Sequence, residues 1–343
     1  MIHSNPLLQD KPGQKKFITM GEIMLRLTPP NYEKIRMAGS FELSYGGSEA
    51  NIALALAMLM VCVGAEAEEQ AAGYTRYVLL EDGTAMITGY DGLAETLEIP
   101  AAVDGHPVSA IGKGAFYGCS SLTSVTIPQG VESIGDYAFE SCAALMKVSI
   151  PESVASVGEN PFVGCTALRY IVVPAQHPAL AVVQGVLYAR AEQRLICYPA
   201  AYVTESFTVP EGTAVIDSLA FYHTKALKEI LLPDSVTAIG ASAFEGCSAL
   251  EKVVLPAGLR AVAPRTFAWC SSLKEIVLPE TVADVGAEAF LFCRNLMRVT
   301  LPDDVQSIGE DAFTWCPKVQ IAVQPGTVAA QWASSQGLKV TGK

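Results

Sequence analysis

Residues 122–142 are LTSVTIPQGVESIGDYAFESC, and variants of this stretch return with the same landmarks almost to the C-terminus. The clearest landmark is a phenylalanine, which returns every 23 residues wherever the series is unbroken. Its copies are Phe116, Phe139, Phe162, Phe221, Phe244, Phe267, Phe290 and Phe313. A proline keeps the same period except for one interval of 36 residues, from Pro174 to Pro210. A fixed period of this length predicts a solenoid in which each repeat forms one coil.

The order of residues within one repeat predicts how a coil is built. Leu122, Val125 and Ile127 have the spacing of a short strand that points alternate side chains into a core. Pro128 has no N–H for a ladder and is expected to end the strand, and Gly135 is expected to permit a tight turn. One such unit cannot bury its apolar face alone, so its stability has to come from stacking on its neighbours.

Charge is distributed unevenly along the 343 residues, whose formal net charge is −12. Residues 1–51 contain 6 Lys and Arg against 5 Asp and Glu, whereas residues 66–343 contain 17 against 30. A basic stripe that could neutralise phosphates is missing from this pattern. The sequence therefore predicts no nucleic-acid partner.

Seven of the nine cysteines lie three residues after a landmark phenylalanine: Cys119, Cys142, Cys165, Cys247, Cys270, Cys293 and Cys316. In a solenoid they would stack at the coil spacing of about 4.8 Å, with parallel Cβ vectors that do not suit a disulfide torsion. We expect buried free thiols in preference to disulfides or a metal site. The four histidines are scattered and no C-x-x-C pair occurs, so neither a metal nor another cofactor is predicted.

The beginning of the chain has a different character. Residues 17–57 resemble the N-terminus of ribokinase-like (PfkB) sugar kinases of the 2-keto-3-deoxygluconate kinase type, including a G-G-x-x-x-N motif. The resemblance implies sugar contacts by Gly46, Gly47 and Asn51. It also implies a later D-T-x-G-A-G-D motif, whose N–H groups and aspartate carry out phosphoryl transfer.

That phosphoryl-transfer motif does not occur in the sequence. The nearest match, at Gly135 and Asp136, falls on the 23-residue period and has relatives in other repeats, which favours a structural role. We therefore expect no enzyme activity, and a sugar kinase remains the alternative, which a coupled ATP assay would detect. We assign residues 1–51 to a truncated kinase-like segment.

Residues 52–70 contain a third kind of sequence. Ile52–Ala65 is an uncharged run of fourteen residues, followed by an A-x-A pattern that predicts cleavage after Ala67. The run is too short for a comfortable membrane span, and some fifty residues precede it. One hypothesis is a secreted protein whose start was replaced by a kinase fragment, through gene fusion or mis-assembly, and such a product could lack a function as a unit. The alternative is a buried helix of a kinase-like subdomain.

Turn signals and periodicity divide the remainder of the chain. Residues 71–107 contain predicted hairpins, one of them around Asp82-Gly83, and are assigned to an N-terminal cap. Residues 108–323 are assigned to the solenoid. The long coil is predicted to carry a projecting hairpin at about residues 175–209, and such insertions often lie on a binding face. Residues 324–343 predict a short helix and a final strand that cap the far end.

These motifs together resemble the BspA-like leucine-rich-repeat family of bacterial surface proteins, over about residues 73–340. The resemblance rests on L-x-x-V-x-I/L-P-x-x-V-x-x-I-G-x-x-A-F-x-x-C, the ITGYDG cap, the GVLY…LICYP hairpin and the closing A-x-x-W-A. It implies a mainly β leucine-rich-repeat solenoid of about nine 23-residue coils, with one enlarged 36-residue coil. The implied function is a secreted or surface-displayed monomeric binding module without a stable membrane span, which adheres to a protein or glycan on another cell or matrix.

Three local departures from the repeat are visible. Asn160-Pro161 precedes Phe162, Thr224 stands where a cysteine is expected, and Pro264-Arg265-Thr266 precedes Phe267.

Binding is most simply sought at the outward positions of the predicted strands, which form two columns. The first column is Ser124, Lys147, Tyr170, Glu229, Lys252, Glu275 and Arg298. The second is Thr126, Ser149, Val172, Leu231, Val254, Val277 and Thr300. The first column alternates in charge and predicts either a solvated charge ladder or a binding face. In the second, Val172, Leu231, Val254 and Val277 are expected side by side, as strand filler or as an apolar stripe that binds a partner.

Overall fold

A computed structural model of the chain describes residues 70–343. The kinase-like segment, with Gly46, Gly47 and Asn51, and the apolar segment up to residue 69 lie outside the described residues. Within the described range the protein is a mainly β solenoid of about eleven turns, with 26 strands and one helix. The predicted fold class is confirmed for this range.

The described part opens with an antiparallel cap, as predicted. Its strands are β1 (Gln70–Ala72), β2 (Thr75–Leu79) and β3 (Ala85–Tyr90). The Asp82 carboxylate shapes the turn between β2 and β3, because it accepts hydrogen bonds from the Thr84 N–H at 2.9 Å and hydroxyl at 2.6 Å. The cap therefore holds β3 in place, and the edge of β3 pairs with the first coil.

Each coil contributes one three-residue strand to a first parallel ladder. Its members are β4 (Thr96–Glu98), β7 (Ser124–Thr126), β9 (Lys147–Ser149), β11 (Tyr170–Val172), β15 (Ser206–Thr208), β17 (Glu229–Leu231), β19 (Lys252–Val254), β21 (Glu275–Val277), β23 (Arg298–Thr300), β25 (Gln320–Ala322) and β26 (Lys339–Thr341). The middle residue of each strand from Val125 to Val299 is buried, and its two neighbours are half-buried or exposed.

A second parallel ladder runs along the other side of the coils and was not predicted. Its members are β6 (His106–Ile111), β8 (Ser133–Ile134), β10 (Ser156–Val157), β14 (Arg194–Cys197), β16 (Val215–Ile216), β18 (Ala238–Ile239), β20 (Ala261–Val262), β22 (Asp284–Val285) and β24 (Ser307–Ile308). Most of these strands have only two residues, which is too short for periodicity to reveal. The cap strand β3 pairs with β6 and so continues this ladder.

The array begins earlier than residue 108. Strand β4 pairs with β7 in parallel, so residues assigned to the cap already form the first strand of the ladder. Leu97, Ile99 and Pro100 repeat the motif of Val125, Ile127 and Pro128 at a distance of 28 residues. The longer spacing, which accommodates β5 (Ala102–Val103) and its antiparallel pairing with β6, disguises the repeat in the sequence.

The landmark phenylalanines form the core column that the repeat predicts. Neighbouring rings stack with centroids 4.8–5.6 Å apart and planes within 23° of parallel. Tyr90 packs against the first ring of the column and Trp332 against the last, at 5.7 and 5.8 Å. Within each run of regular coils, neighbouring rings thereby cover one another.

The cysteines stack beside this column as free thiols, as expected, although Cys119 is only half-buried. Their environment is more polar than predicted. In six coils the Sγ atom donates to the carbonyl oxygen of the phenylalanine one coil back, at 3.0–3.1 Å. The thiols therefore also bind one coil to the next.

Glycine recurs at one position of the repeat for a different reason from the one predicted. Gly135 does not have a positive φ, so its turn does not require glycine. A Cβ atom at this position would instead lie 2.7 Å from the Lys113 amide nitrogen of the preceding coil. Glycine is needed because the backbones of successive coils approach closely here.

The enlarged coil carries a three-stranded antiparallel unit. Contrary to the prediction, this unit does not project from the solenoid. It consists of β12 (Leu180–Val183), β13 (Val186–Ala189) and β14, and β14 continues into the second ladder. Leu187 and Ala189 pack into the core on the N-terminal side, whereas Val186 and Tyr188 pack into the core on the C-terminal side. Both faces of β13 are therefore buried, which is why both carry apolar side chains. The unit lies inside the solenoid, between the two halves of the core.

Tyr198 completes the enlarged coil. Its N–H donates to the Ala220 carbonyl at 2.8 Å, as the landmark residue Phe116 does to Ala138 at 2.7 Å. Its ring stacks on Phe221 with centroids 5.0 Å apart. The coil thus has a landmark aromatic residue, which the search for phenylalanine missed.

Polar side chains join the two halves where the inserted unit interrupts the ladders. Asn160 is buried, accepts a hydrogen bond from the Phe162 N–H at 3.1 Å and donates to the Leu219 carbonyl at 2.7 Å. Arg194 donates to the Val157 carbonyl at 2.8 Å and to Asp217 at 2.5 Å. Asn160 and Arg194 thus supply partners to the Phe162 N–H and the Val157 carbonyl, which a regular coil would bond through its backbone. The bond to the Leu219 carbonyl is an additional one, since this carbonyl also accepts from the Tyr222 N–H at 3.1 Å.

Asp217 stands at the repeat position of Gly135, four residues before the landmark phenylalanine. Burial raises the pKa of its carboxyl to about 6, although the Arg194 guanidinium acts in the opposite direction. The carboxyl is therefore largely ionised at neutral pH and pairs with Arg194.

The other side chains that depart from the repeat also have hydrogen-bond partners. Thr224 is buried in the cysteine column, with its Oγ1 atom 3.1 Å from the Cys247 Sγ atom. The Thr266 hydroxyl donates to the Ala263 carbonyl at 2.7 Å. Arg265 donates to both Glu245 oxygens, at 3.0 and 2.6 Å, and also pairs with Glu288 of the next coil.

The C-terminal end is closed by helix α1 (Val328–Ser335) and strand β26, as predicted. Thr327 caps the helix, since its Oγ1 atom accepts a hydrogen bond from the Ala330 N–H at 3.2 Å. No helix in residues 70–343 has both the length and the apolar character of a membrane-spanning segment.

The stacked column predicts a large cost for removing one of its rings. Phe267→Ala should lower the free energy of unfolding by about 3–5 kcal/mol, because it leaves a cavity between two rings. Val277→Ala, on the exposed surface, should change it by less than about 0.5 kcal/mol. Urea unfolding followed by circular dichroism measures both, and equal effects of the two substitutions would contradict the stacking account.

The junction predicts a second, polar contribution. Asn160→Ala should destabilise the protein by about 1–3 kcal/mol, because it leaves the buried Phe162 N–H without its partner. Asn295→Ala is the matched control, since Asn295 is exposed and water can replace its bond to the Ser271 carbonyl. A cost at Asn160 no larger than at Asn295 would reject the bridging role.

Candidate functional site

The outward side of the first ladder, here called the ladder face, carries the two predicted columns. Register confirms several of the expected neighbours: Lys147 lies beside Tyr170, Glu229 beside Lys252, and Leu231 beside Val254. Arg298 likewise lies beside Glu275. The side chains of the first column are exposed apart from Ser124 and Glu229, which are half-buried.

The predicted apolar stripe is divided. Val172 lies in the last strand of one hydrogen-bonded sheet, whereas Leu231 and Val254 lie in another, which begins with β15. The columns derived from the sequence omitted β15, so Val172 and Leu231 are not neighbours, and Thr208 is the residue beside Leu231. Strand β15 was missed because the enlarged coil displaces it from the 23-residue period. The apolar residues on the C-terminal side are Leu231, half-buried, with Val254 and Val277, exposed by 41% and 63%.

Charged side chains on this face pair between successive coils. Lys252 donates to Glu229 at 2.5 Å, Lys228 to Glu205 at 2.7 Å and Lys274 to Glu251 at 2.6 Å. Exposed pairs of this kind contribute about 0–1 kcal/mol each. Their main consequence is a rigid, mixed-charge border around the apolar residues Leu231 and Val254.

A second surface was not found from the sequence. Trp269, Phe292 and Trp315, here called the aromatic strip, each lie two residues after a landmark phenylalanine in the last three coils. Their rings stack with centroids 4.0 and 5.5 Å apart and planes 14° and 12° from parallel. Trp269 and Trp315 are exposed by 44% and 65%. The signal that could have revealed them is the aromatic residue before the cysteine, in AWC, LFC and TWC.

The strip stands on strained backbone. All three residues have φ between 59° and 62°, and the same position is glycine in three other coils, Gly118, Gly164 and Gly246. The left-handed conformation costs an L-residue roughly 1–2 kcal/mol, whereas a stacked pair gains about 0.5–1.5 kcal/mol. Ser141 and His223 have the same conformation at this position, so the left-handed backbone belongs to the repeat and the aromatic residues are a local choice of the last three coils.

A cleft adjoins the end of the strip. Its volume is about 480 Å³, and its lining consists of Arg294, Phe313, Trp315, Cys316 and Pro317. The Arg294 guanidinium lies 5.5 Å from the centre of the Phe292 ring. In residues 70–343, Arg294 has no ion pair with a carboxylate. The cleft therefore combines an aromatic wall with a positive charge that no carboxylate of the described residues neutralises.

A smaller cavity of about 310 Å³ lies beside the inserted unit, between Tyr188 and residues 210–213. The Tyr188 hydroxyl is buried there, and burial raises its pKa. Among the described residues, no three His, Cys, Asp or Glu side chains are grouped as metal ligands.

Comparison with protein families gives one match. The profile described as "BspA type Leucine rich repeat region" matches six copies, in residues 95–181 and 197–320. The matched range begins at β4, in agreement with the start of the ladder. A search of curated proteins gives no match.

Solved structures share the architecture. A leucine-rich cell surface protein from Faecalibacterium prausnitzii is 24% identical, with a TM-score of 0.50, over 79% of this chain and 98% of that one. The pneumococcal vaccine antigen PcpA is 18% identical, with a TM-score of 0.56, over 81% of this chain and 99% of that one. At these identities the likeness concerns the fold alone.

Proposed function

The chain belongs to the BspA-type leucine-rich-repeat family, and on this basis we propose that residues 70–343 form a binding module displayed outside a bacterial cell. Leucine-rich-repeat proteins of this type are protein-binding modules and are generally non-enzymatic. The finer proposal is adhesion, with the ladder face as the contact surface for a protein on another cell or in the extracellular matrix. One solved relative, the protein from Faecalibacterium prausnitzii, is described as a cell surface protein, which supports the location.

The observation that carries this proposal is the composition of the ladder face. Leu231, Val254 and Val277 leave apolar surface open on consecutive coils, and the ion pairs of Lys252 and Lys274 border it. An apolar centre with a polar border is the arrangement of a protein–protein interface. Strands β17 and β19, which carry Leu231 and Val254, are fixed to each other by backbone bonds, so little conformational entropy is lost there when a partner binds.

The test introduces charge at the apolar centre. The double variant Leu231→Glu and Val254→Glu should weaken saturable binding to an immobilised panel of purified matrix proteins by at least tenfold, or about 1.4 kcal/mol, because it buries unpaired carboxylates. Biolayer interferometry measures the affinity, and circular dichroism verifies the fold.

The matched control is Ala238→Glu with Ala261→Glu, which adds the same charge to exposed positions of the second ladder on neighbouring coils. It should leave the affinity unchanged. Unaltered binding by the first double variant, or an equal loss in both, would reject the ladder face as the contact surface.

A further inference from the structure

The aromatic strip and its cleft are separate from the ladder face. The strip residues lie between the core column and the next strand of each coil, where Trp269 stacks on Phe292 and Phe292 on Trp315. Because Trp315 belongs to the last of these coils, no further ring of the strip follows it, and its side chain is the most exposed of the three. The end of the strip thus offers aromatic surface to a ligand.

The charged group in the cleft lining is a donor. Arg294 presents a guanidinium without a carboxylate partner in the described residues, and the cleft lining contains no acidic side chain. Lys318, next along the chain to Pro317, donates to the Asn295 amide oxygen at 2.8 Å. Indole N–H groups are also donors only. A complementary ligand therefore carries acceptor oxygens and a negative charge, next to a flat apolar face.

Along the strip before Trp315, the backbone offers no pairing to an extended peptide. The Trp269 N–H donates to the Leu291 carbonyl at 2.7 Å, and the Phe292 N–H donates to the Thr314 carbonyl at 3.0 Å. These donors are therefore occupied between coils, and an added strand would gain no main-chain pairing with them. A sugar ring needs no such pairing, since its C–H groups are attracted to the negative face of an aromatic ring.

We propose that the cleft at Trp315 and Arg294 binds a carboxylated sugar of an acidic glycan. The C–H face of the sugar lies on the Trp315 indole, and its carboxylate pairs with the Arg294 guanidinium, whose planar fork suits a two-oxygen acceptor. The volume of about 480 Å³ falls within the range of small-ligand sites. The site is distinct from the protein-binding face, so either can fail without the other.

The test uses the full chain and trigalacturonic acid, with its methyl ester as a neutral probe of the same shape. Calorimetry should show saturable binding of the acid, at least tenfold tighter than the ester. Tryptophan fluorescence should change on binding, since Trp315 is one of only three tryptophans in the sequence. 3′-Sialyllactose, against lactose, distinguishes a sialic acid from a uronic acid as the bound sugar.

Variants locate the site. Trp315→Ala should weaken binding of the preferred acid at least tenfold. Arg294→Ala should abolish the preference for the acid over the ester, while Arg294→Lys retains part of it. Trp269→Ala is the matched control, because it removes an exposed indole at the same repeat position outside the cleft, and it should change the affinity less than twofold.

Three results would overturn the proposal. They are no saturable binding of either acidic sugar, equal binding of the acid and the ester by the unaltered protein, or equal loss in the Trp269 and Trp315 variants. Binding of pentaglutamate as tight as that of the acidic sugars would also overturn it and would point to an acidic peptide.

Discussion

The structure depends on the contact between one coil and the next. A coil of 23 residues has an apolar edge that it cannot cover, and the phenylalanine column shows how its neighbours cover it. Thiol and backbone hydrogen bonds follow the same axis, so every coil is held by the coils on both sides. The cap strand β3 pairs with the first strand of the second ladder, and the Trp332 ring packs on the last landmark ring, so these two cover the ends of the described array.

The inserted unit shows what happens when this contact is interrupted. Strand β13 places apolar residues on both faces and so supplies each half of the core with a cover. Its polar counterpart is the set of Asn160, Arg194 and Asp217. Asn160 bonds the Phe162 N–H and Arg194 bonds the Val157 carbonyl, two backbone groups without their regular partners, and Asp217 pairs with Arg194. Burying these polar side chains costs little free energy of folding, because each has a hydrogen-bond partner.

The period of the sequence is sufficient to predict the solenoid and its phenylalanine and cysteine columns, because one rule repeats in every coil. It could not predict features that depend on where the rule fails. The 28-residue spacing hid β4, and the enlarged coil hid β15 and Tyr198. The outward columns were correct within a sheet, as for Leu231 and Val254, but not across the junction. The aromatic strip was missed because its residues lie outside the strands, where the search for binding residues was made.

If stacking of equal coils is the basis of the fold, the coil is a removable unit. Deleting residues 271–293 removes 23 residues and joins Cys270 to Arg294 at equivalent repeat positions. The shortened protein should retain its β circular dichroism and unfold cooperatively in urea, whereas deletion of residues 271–282 alone, which removes half a coil, should abolish cooperative unfolding. Loss of the fold after the 23-residue deletion, or equal tolerance of both deletions, would contradict the account.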